Sequence, residues 1–256
     1  LAIDRTRRQQ KKALKAAVKR IVTVLSISVL IVASMYAYNF LTTSESFAIH
    51  QVEFKGMSRV ESSEIEEMLA DLKGQNILLV SLELYEERIK MNPRVERVAL
   101  KRVLPDKVSC DVKEREPVAL IFTDQFLEVD RHGMVMADDE YTAILDLPII
   151  TGLSKNAIEI GKINNDNRLQ SALRALALCK SLGGGFAEDI SELRVTPSGV
   201  NIQSLEKDCV LLLGEADYAK RLKKYFMLKE TLAENESNAG IIDLRFDDQV
   251  VLRGRM

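Results

Sequence analysis

The chain has 256 residues, 46% apolar and 29% charged, enough for one large domain or two ordinary ones and too apolar for intrinsic disorder. Its 36 Lys and Arg against 38 Asp and Glu leave a formal charge of −2, which excludes the broadly basic surface that nucleic-acid binding requires. Three cysteines, Cys110, Cys179 and Cys209, are odd in number and lack CxxC or Cys/His spacing, so a complete disulfide framework and a recognisable metal site are excluded too. Buried free thiols are expected, with one disulfide left open should two of them meet.

In chain order, the first feature is an asymmetry of charge. Residues 1–20 carry Arg5, Arg7, Arg8, Lys11, Lys12, Lys15, Lys19 and Arg20 against a single Asp4, a local +7 that leaves −9 on the remainder. Residues 21–41, IVTVLSISVLIVASMYAYNFL, hold no charge from Ile21 through Leu30 to Leu41. As a helix this run is about 31 Å long, matched to a bilayer core of ~30 Å, and it reads as a transmembrane span. Lys and Arg beside a span resist translocation, so the tail is expected in the cytoplasm and the chain after Leu41 on the far side. Tyr36, Tyr38 and Phe40 cluster at the exit end, where interfacial aromatics belong. A cleaved signal peptide is the rival reading, but its apolar core is ~7–15 residues, and the small-x-small candidates Ala33-x-Met35 and Ser44-x-Ser46 are poor. Thr23, Ser26, Ser28 and Ser34 either satisfy their own backbone or, with Ala33 and Ala37, admit a second helix. The chain begins at Leu1 rather than Met, so part of the tail is expected to be missing, and residues 42–46 read as a polar spacer.

Residues 47–56, FAIHQVEFKG, place His50, Val52 and Phe54 on one face at period two and end in Gly56, a strand and a turn. Ser58 or Ser62 then caps a helix with the stripe Val60, Ile65, Met68, Leu69 and Leu72, closed by Gly74. After NILLV, Ser81 offers a cap for a short helix with Leu82, Tyr85 and Ile89 inward, stopped at Asn92-Pro93. Residues 94–104 and 107–115 are strands joined at Pro105-Asp106. Val98 and Leu100 alternate with polar positions in the first; Val108, Cys110 and Val112 oppose Ser109, Asp111 and Lys113 in the second. So short a connection makes an antiparallel hairpin. The order is β-α-α-β-β, a small sheet covered by two helices and ending near Glu116-Pro117.

These residues carry a resemblance. The VEFKG strand after a lone span, the stretch GQNILLVSLELYEERIKMNPRVERVALKRVLPDKVSCDVKEREPVA and the element order resemble the membrane-proximal POTRA domain of the FtsQ/DivIB cell-division family. The most specific pieces are Asn92-Pro93-Arg94-Val95, then Val98, Arg102 and Leu104-Pro105, and the strand end Glu114-Arg115-Glu116-Pro117. The resemblance implies a POTRA domain over 47–116 and a β-domain over 117–256.

The remainder reads mostly as strands. Residues 126–130 and 134–136 flank a His132-Gly133 turn, and LPIITG is a short apolar segment. Residues 167–182 form a helix with Leu169, Leu173, Leu176 and Ala177 inward, stopped by Gly183-Gly184-Gly185. Strands follow at 190–195, 200–205 and 209–214, the first two split by Pro197-Ser198-Gly199. A helix over about 218–232 places Leu222, Tyr225, Phe226 and Lys229 on one side, and GIIDLRFDDQVVLRG is the last strand. FLEVDRHGMVM, LPIITG, Leu213-Gly214 before a Lys/Arg-Leu helix and IDLRFDDQVVLR are similar to β-domain landmarks of the same family. The expected class is therefore α+β: one N-terminal transmembrane helix, a POTRA domain and a mostly antiparallel β-domain with two helices.

No catalytic set stands out. His50 and His132 lack partners for a triad or metal site, and no G-x-S-x-G, HExxH or P-loop occurs. The glycine run lacks the Lys and Ser/Thr that hold phosphate. Asp138-Asp139-Glu140 and Asp247-Asp248 read as solvated turn residues. Neither a catalytic activity nor a cofactor is expected.

In the last strand Ile242, Leu244, Phe246, Val250 and Leu252 share one face, and Asp243, Arg245, Asp247, Gln249 and Arg253 the other. A terminal strand can be a sheet edge, open to another strand or defended by charge. The resemblance implies the first use: relatives capture the periplasmic C-terminal segment of FtsB there, with FtsL alongside. It places partner contacts at Arg245, Phe246, Asp247, Asp248 and Gln249, with Arg194 as a second basic contact to an acidic partner residue. Many relatives have Tyr where Phe246 stands, so a phenol hydrogen bond is lost. The alternation puts Phe246 on the buried face, unless a kink at Asp247-Asp248 turns it outward. What the resemblance implies is a divisome scaffold at the septum in the bacterial inner membrane, N-terminus in and C-terminus periplasmic, recruited in part by its POTRA domain and regulating septal peptidoglycan synthesis. A membrane-anchored periplasmic cell-wall enzyme and a POTRA-bearing envelope-assembly or export chaperone are the alternatives.

Overall fold

The computed structural model describes residues 2–139, 142–183, 185–205, 209–236 and 239–254. Helix α1 (Ala2–Thr43) is continuous, so the basic segment and the apolar run form one rod. Among the described residues, Ala17–Thr43 is the one helix long and apolar enough to cross a membrane. Thr23, Ser26, Ser28 and Ser34 donate to carbonyls three or four residues back, which satisfies each hydroxyl inside the helix. The helix runs through Thr43, and the rest of the expected spacer is a 3₁₀ turn (Glu45–Phe47) capped by Ser44.

Strand β1 (Gln51–Lys55), helices α2 (Ser62–Met68) and α3 (Leu82–Lys90), and strands β2 (Val95–Val103) and β3 (Lys107–Glu114) follow in the expected β-α-α-β-β order. Their sheet runs β1-β3-β2, with β1 parallel to β3. Ile65, Leu69, Leu72, Leu82, Tyr85 and Ile89 are buried from the helices, and Val98, Leu100, Val108, Cys110 and Val112 from the sheet. Local details depart from the sequence reading. β1 starts after His50, so the buried place belongs to Ile49, while His50 is exposed 3.7 Å from Asp106. The expected first helix breaks into α2 and a 3₁₀ turn (Ala70–Leu72). α2 starts after Glu61, which makes no side-chain cap, and Ser58 instead donates its N–H (2.6 Å) and hydroxyl (2.8 Å) to Glu114. Gly56 adopts φ +78°, where a Cβ would stand 2.1 Å from the Val112 carbonyl oxygen, so only glycine lets the chain pass.

The chain divides into two compact units, one of residues up to 56, 61–89 and 98–112, the other of 57–60, 90–97 and 113 onward. The second contains β4 (Pro117–Phe122), β5 (Phe126–Asp130), β6 (Val135–Ala137), β7 (Ile149–Thr151), α4 (Asn167–Leu182), β8 (Ile190–Thr196), β9 (Gly199–Ser204), β10 (Val210–Gly214), α5 (Tyr218–Glu236), β11 (Ala239–Asp243) and β12 (Val251–Gly254). They form one sheet in the order β12-β11-β10-β9-β8-β7-β4-β5-β6. The pairs β10–β11, β8–β7 and β7–β4 are parallel and the other five antiparallel, which keeps the sheet mostly antiparallel.

α4 is N-capped by Asp166, whose side chain accepts from Arg168 and Leu169 N–H groups. Leu169, Leu173 and Leu176 are buried as expected. Ala177 is exposed, because the apolar stripe continues through Ala172, Ala175 and Cys179. α5 buries Leu222 and Tyr225, and Tyr225, Phe226 and Phe186 pack ring on ring at centroid separations of 5.1–5.7 Å. The side chain of Lys229, expected on this face, and Glu140 and Gly184 lie outside the described residues. The final expected strand is two strands, β11 and β12, joined by a turn over 244–250.

Candidate partner-binding site

Residues directly opposite one another across paired strands point to the same face. The registers therefore lay out rows across the sheet. Ile150, Leu193, Ile202, Leu211, Ile242 and Leu252 form one row, the first five fully buried. α4 and α5 cover this face. On the opposite face Thr151, Arg194, Asn201, Leu212, Asp243 and Val251 form a second row, and Glu192, Gln203, Val210, Ile241 and Arg253 a third. Glu192, Arg194, Asn201, Gln203 and Val210 line a groove of about 100 Å³ there. Both rows end at β12, the last strand in the sheet order.

The β11–β12 hairpin is antiparallel, with Ile242 opposite Leu252 and Asp243 opposite Val251. Asp243 is fully buried. Its carboxylate accepts Arg245 Nε at 2.8 Å and Nη2 at 2.6 Å, with Arg253 Nη2 at 3.6 Å. The Arg245 hydrogen bonds hold its pKa below the usual carboxylate range, against the burial that would raise it, and they raise Arg245 in turn. Helix α5 pins the turn from the other side. Lys224 Nζ donates to the carbonyls of Phe246, Asp247 (3.4 Å) and Gln249 (3.2 Å), and Arg221 to those of Leu213 and Arg245 (3.3 Å). Lys220 pairs with Asp247 at 3.0 Å and lowers its pKa.

The expected site residues fall into two places. Arg245, Phe246, Asp247, Asp248 and Gln249 lie together on the turn. Leu244 is buried, whereas Phe246 is 43% exposed, because the bend at 246–248 ends the alternation that would have buried it. Arg245 is ion-paired within its own hairpin. Arg194 lies on β8, three strands from β11 and so about 14 Å across the face from Asp243. It is exposed and pairs with Glu192 at 3.0 Å. Burial pushes Glu192 up, but hydrogen bonds from Arg194 and Thr151 outweigh it and the net shift is down. The sequence reading missed Lys220, Arg221 and Lys224. Their signal is the spacing of basic residues by three or four in YAKRLKKY, which gathers them on one side of α5.

Elsewhere the ionisable groups serve structure. Asp139 is not a solvated turn residue: it pairs with Arg59 (2.6 Å) and Arg94 (3.0 Å), which both also grip Glu128. Glu128, 0% exposed, is pushed up by burial, yet hydrogen bonds from Arg59, Thr142 and Arg94 bring its pKa below the usual range. The cysteines are buried, and burial pushes the Cys110 and Cys179 thiols up to about 12. Among the described residues no three His, Cys, Asp or Glu side chains sit close enough to hold a metal.

Residues 47–115 match the family described as POTRA domain, FtsQ-type, and residues 119–245 match Cell division protein FtsQ/DivIB, C-terminal. The chain is 25% identical to Cell division protein FtsQ of Geotalea daltonii over 84% of this chain and 79% of that protein. It is 27% identical to the Myxococcus fulvus protein of the same name, over 92% and 86%, and 27% identical to that of Syntrophotalea carbinolica, over 85% and 77%. Two matched segments in the right order behind an apolar helix agree with the β-α-α-β-β unit and the mixed sheet: the chain belongs to the FtsQ/DivIB family of cell-division proteins.

Proposed function

We propose that this chain is a divisome scaffold without catalytic activity of its own, held in the inner membrane by α1 with its C-terminal domain outside the cytoplasm. In this reading the POTRA domain, 47–116, receives other division proteins at the septum. The β-domain, 117–256, holds an FtsB-type segment with FtsL beside it and thereby links early division proteins to septal peptidoglycan synthesis.

One observation carries the partner assignment. β12 ends the sheet, and among the described residues no strand lies on its outer side, so its backbone groups are placed to add a strand. Beside that edge, the turn presents the Phe246 ring. Arg194 is about 19 Å from β12 by strand spacing, so one added strand does not reach it. The partner must also cross the polar face, with an acidic group for Arg194.

The test is titration of the full chain in micelles with a labelled FtsB-type C-terminal segment. Phe246→Glu and Arg194→Ala should each weaken binding at least tenfold, about 1.4 kcal/mol, with the melting temperature within about 2 °C of wild type. Unchanged affinity in both variants would sink the site. Arg245→Glu is the poorer probe, because it sets a second carboxylate against buried Asp243 and weakens the hairpin itself.

A further inference from the structure

The POTRA loops at the end of α1 are tied to the helix. The Asn76 side-chain amide donates to the carbonyls of Leu41 (2.8 Å) and Thr42 (3.1 Å), oxygens left free at a helix C-terminus. Its Oδ1 accepts the Leu78 N–H at 2.9 Å, and Ile77 N–H donates to the Phe47 carbonyl at 2.8 Å. Phe47 in turn stacks edge-on against Phe40 of the helix, at 6.1 Å. The strand entering the β2–β3 turn joins this group through Arg102, near the end of β2, whose guanidinium donates to the carbonyls of Ile77 (2.7 Å) and Val80 (2.6 Å). The same turn is held to the chain before β1 by the His50 N–H on the Asp106 carbonyl, 2.9 Å.

The side chains at these loop tips are apolar and uncovered. Leu79 is 62% exposed, Leu104 60%, and Leu78 and Val103 are exposed as well. Apart from α1, the exposed large hydrophobics among the described residues of this compact unit are those four and Leu84, all within 78–84 or 103–104. They are not scattered singly over the surface, as exposed hydrophobics normally are. At ~3.8 Å per residue, Leu78 and Leu79 follow within about 11 Å of Asn76, comparable to the ~5–8 Å headgroup layer beyond each side of the hydrocarbon core.

We infer that Leu78, Leu79, Val103 and Leu104 rest in the headgroup–acyl boundary of the bilayer that α1 crosses, giving the POTRA domain a second, monotopic contact with lipid. The choice of lipid over a protein follows from continuity. The loops are hydrogen-bonded to the last turn of an apolar helix whose exit end carries Tyr36, Tyr38 and Phe40, so the surface next to them is the membrane itself. The inference rests on α1 being a span and is independent of the partner site.

The chain has no tryptophan, so one can be placed as a depth probe. The 256-residue chain carrying L79W, L104W, L30W or I144W is reconstituted in phosphatidylethanolamine–phosphatidylglycerol vesicles containing lipids brominated near the glycerol end of the acyl chain or near its methyl end. L79W and L104W should be quenched at least twofold more by the shallow bromines than by the deep ones. L30W, at mid-span, should be quenched by the deep ones, and I144W gives the reference level for an exposed position in the other unit. Quenching of L79W and L104W no greater than that of I144W, with L30W quenched, overturns the lipid contact while leaving the span intact. An unquenched L30W overturns the span and the contact together. Shielding of L79W from acrylamide without bromine quenching assigns the patch to a protein, a second copy if it grows with protein density, and also overturns the inference.

Discussion

Asp243 is a buried carboxylate whose two arginine partners both lie on the terminal hairpin, so its charge is what holds the hairpin's exposed face together. Removing the charge while keeping the shape isolates that contribution. Asp243→Asn should lower stability by about 2 kcal/mol at pH 7, the range for hydrogen bonds to charged groups, as read by urea unfolding. Because the folded-state pKa lies below the unfolded value of about 3.9, the contribution is fully present above that value and is lost as pH falls through the folded pKa. The difference between wild type and Asp243→Asn should therefore shrink below about pH 4. A gap of the same size at pH 7 and pH 3 would show that packing, not charge, is responsible. Glu128 has the same sign of linkage, so acid should weaken the Arg59–Arg94–Glu128–Asp139 cluster in the same window.

At the scale of elements, the turn over 244–250 shows what a sequence can hide. Ile242 and Leu252 are ten positions apart, an even number, so one long strand and a hairpin pairing them assign both to the same face. The alternation was legible, and Asp247-Asp248 marked a candidate kink; the complete fold-back was not legible, because RFDDQV has no Gly, Pro or Asn to announce a tight turn. The turn depends instead on α5, through Lys224 and Arg221. Lys224→Met keeps most of the helix-covering stem and removes the ammonium that holds the carbonyls of Phe246, Asp247 and Gln249. Amide exchange across 244–250 should rise by about tenfold while α4 and β8–β9 keep wild-type protection. Equal exchange in the two proteins would mean that the turn stands without α5. β4 escaped notice for another reason. VALIF is a continuous apolar run because the strand is central, between β7 and β5, and such runs carry no period-two signal.

At the scale of the molecule, charge and hydropathy along the chain made the architecture legible: a basic segment, one apolar helix, a small β-α-α-β-β unit and a larger sheet. The site was legible only in part. The residues of the turn are contiguous in sequence, whereas Arg194 shares a face with the terminal hairpin only through long-range strand pairing, and the basic side chains of α5 meet the turn only where the helix packs beside it. The same asymmetry of charge, +7 before the span and −9 from it onward, gives the orientation its test. Alkaline phosphatase fused after the last residue should be active, since it folds only outside the cytoplasm, and replacing the basic residues of 5–20 with glutamine should reduce that activity severalfold. Activity of a cytoplasm-only reporter at the same position would reverse the topology.

The row through Ile150, Leu193, Ile202, Leu211, Ile242 and Leu252 does not stop by exhausting its cover, since Leu252 still packs against the core. Any strand that docks on β12 inherits this pattern. Its residue opposite Leu252 extends the row beside the helical layer and must be apolar, while those opposite Val251 and Arg253 open onto the polar face. β12 spans four residues, so it dictates about two full alternations of the guest sequence, and a guest shifted by one residue would turn its hydrophobes to water. The pattern of any such guest would thus be set by β12 alone.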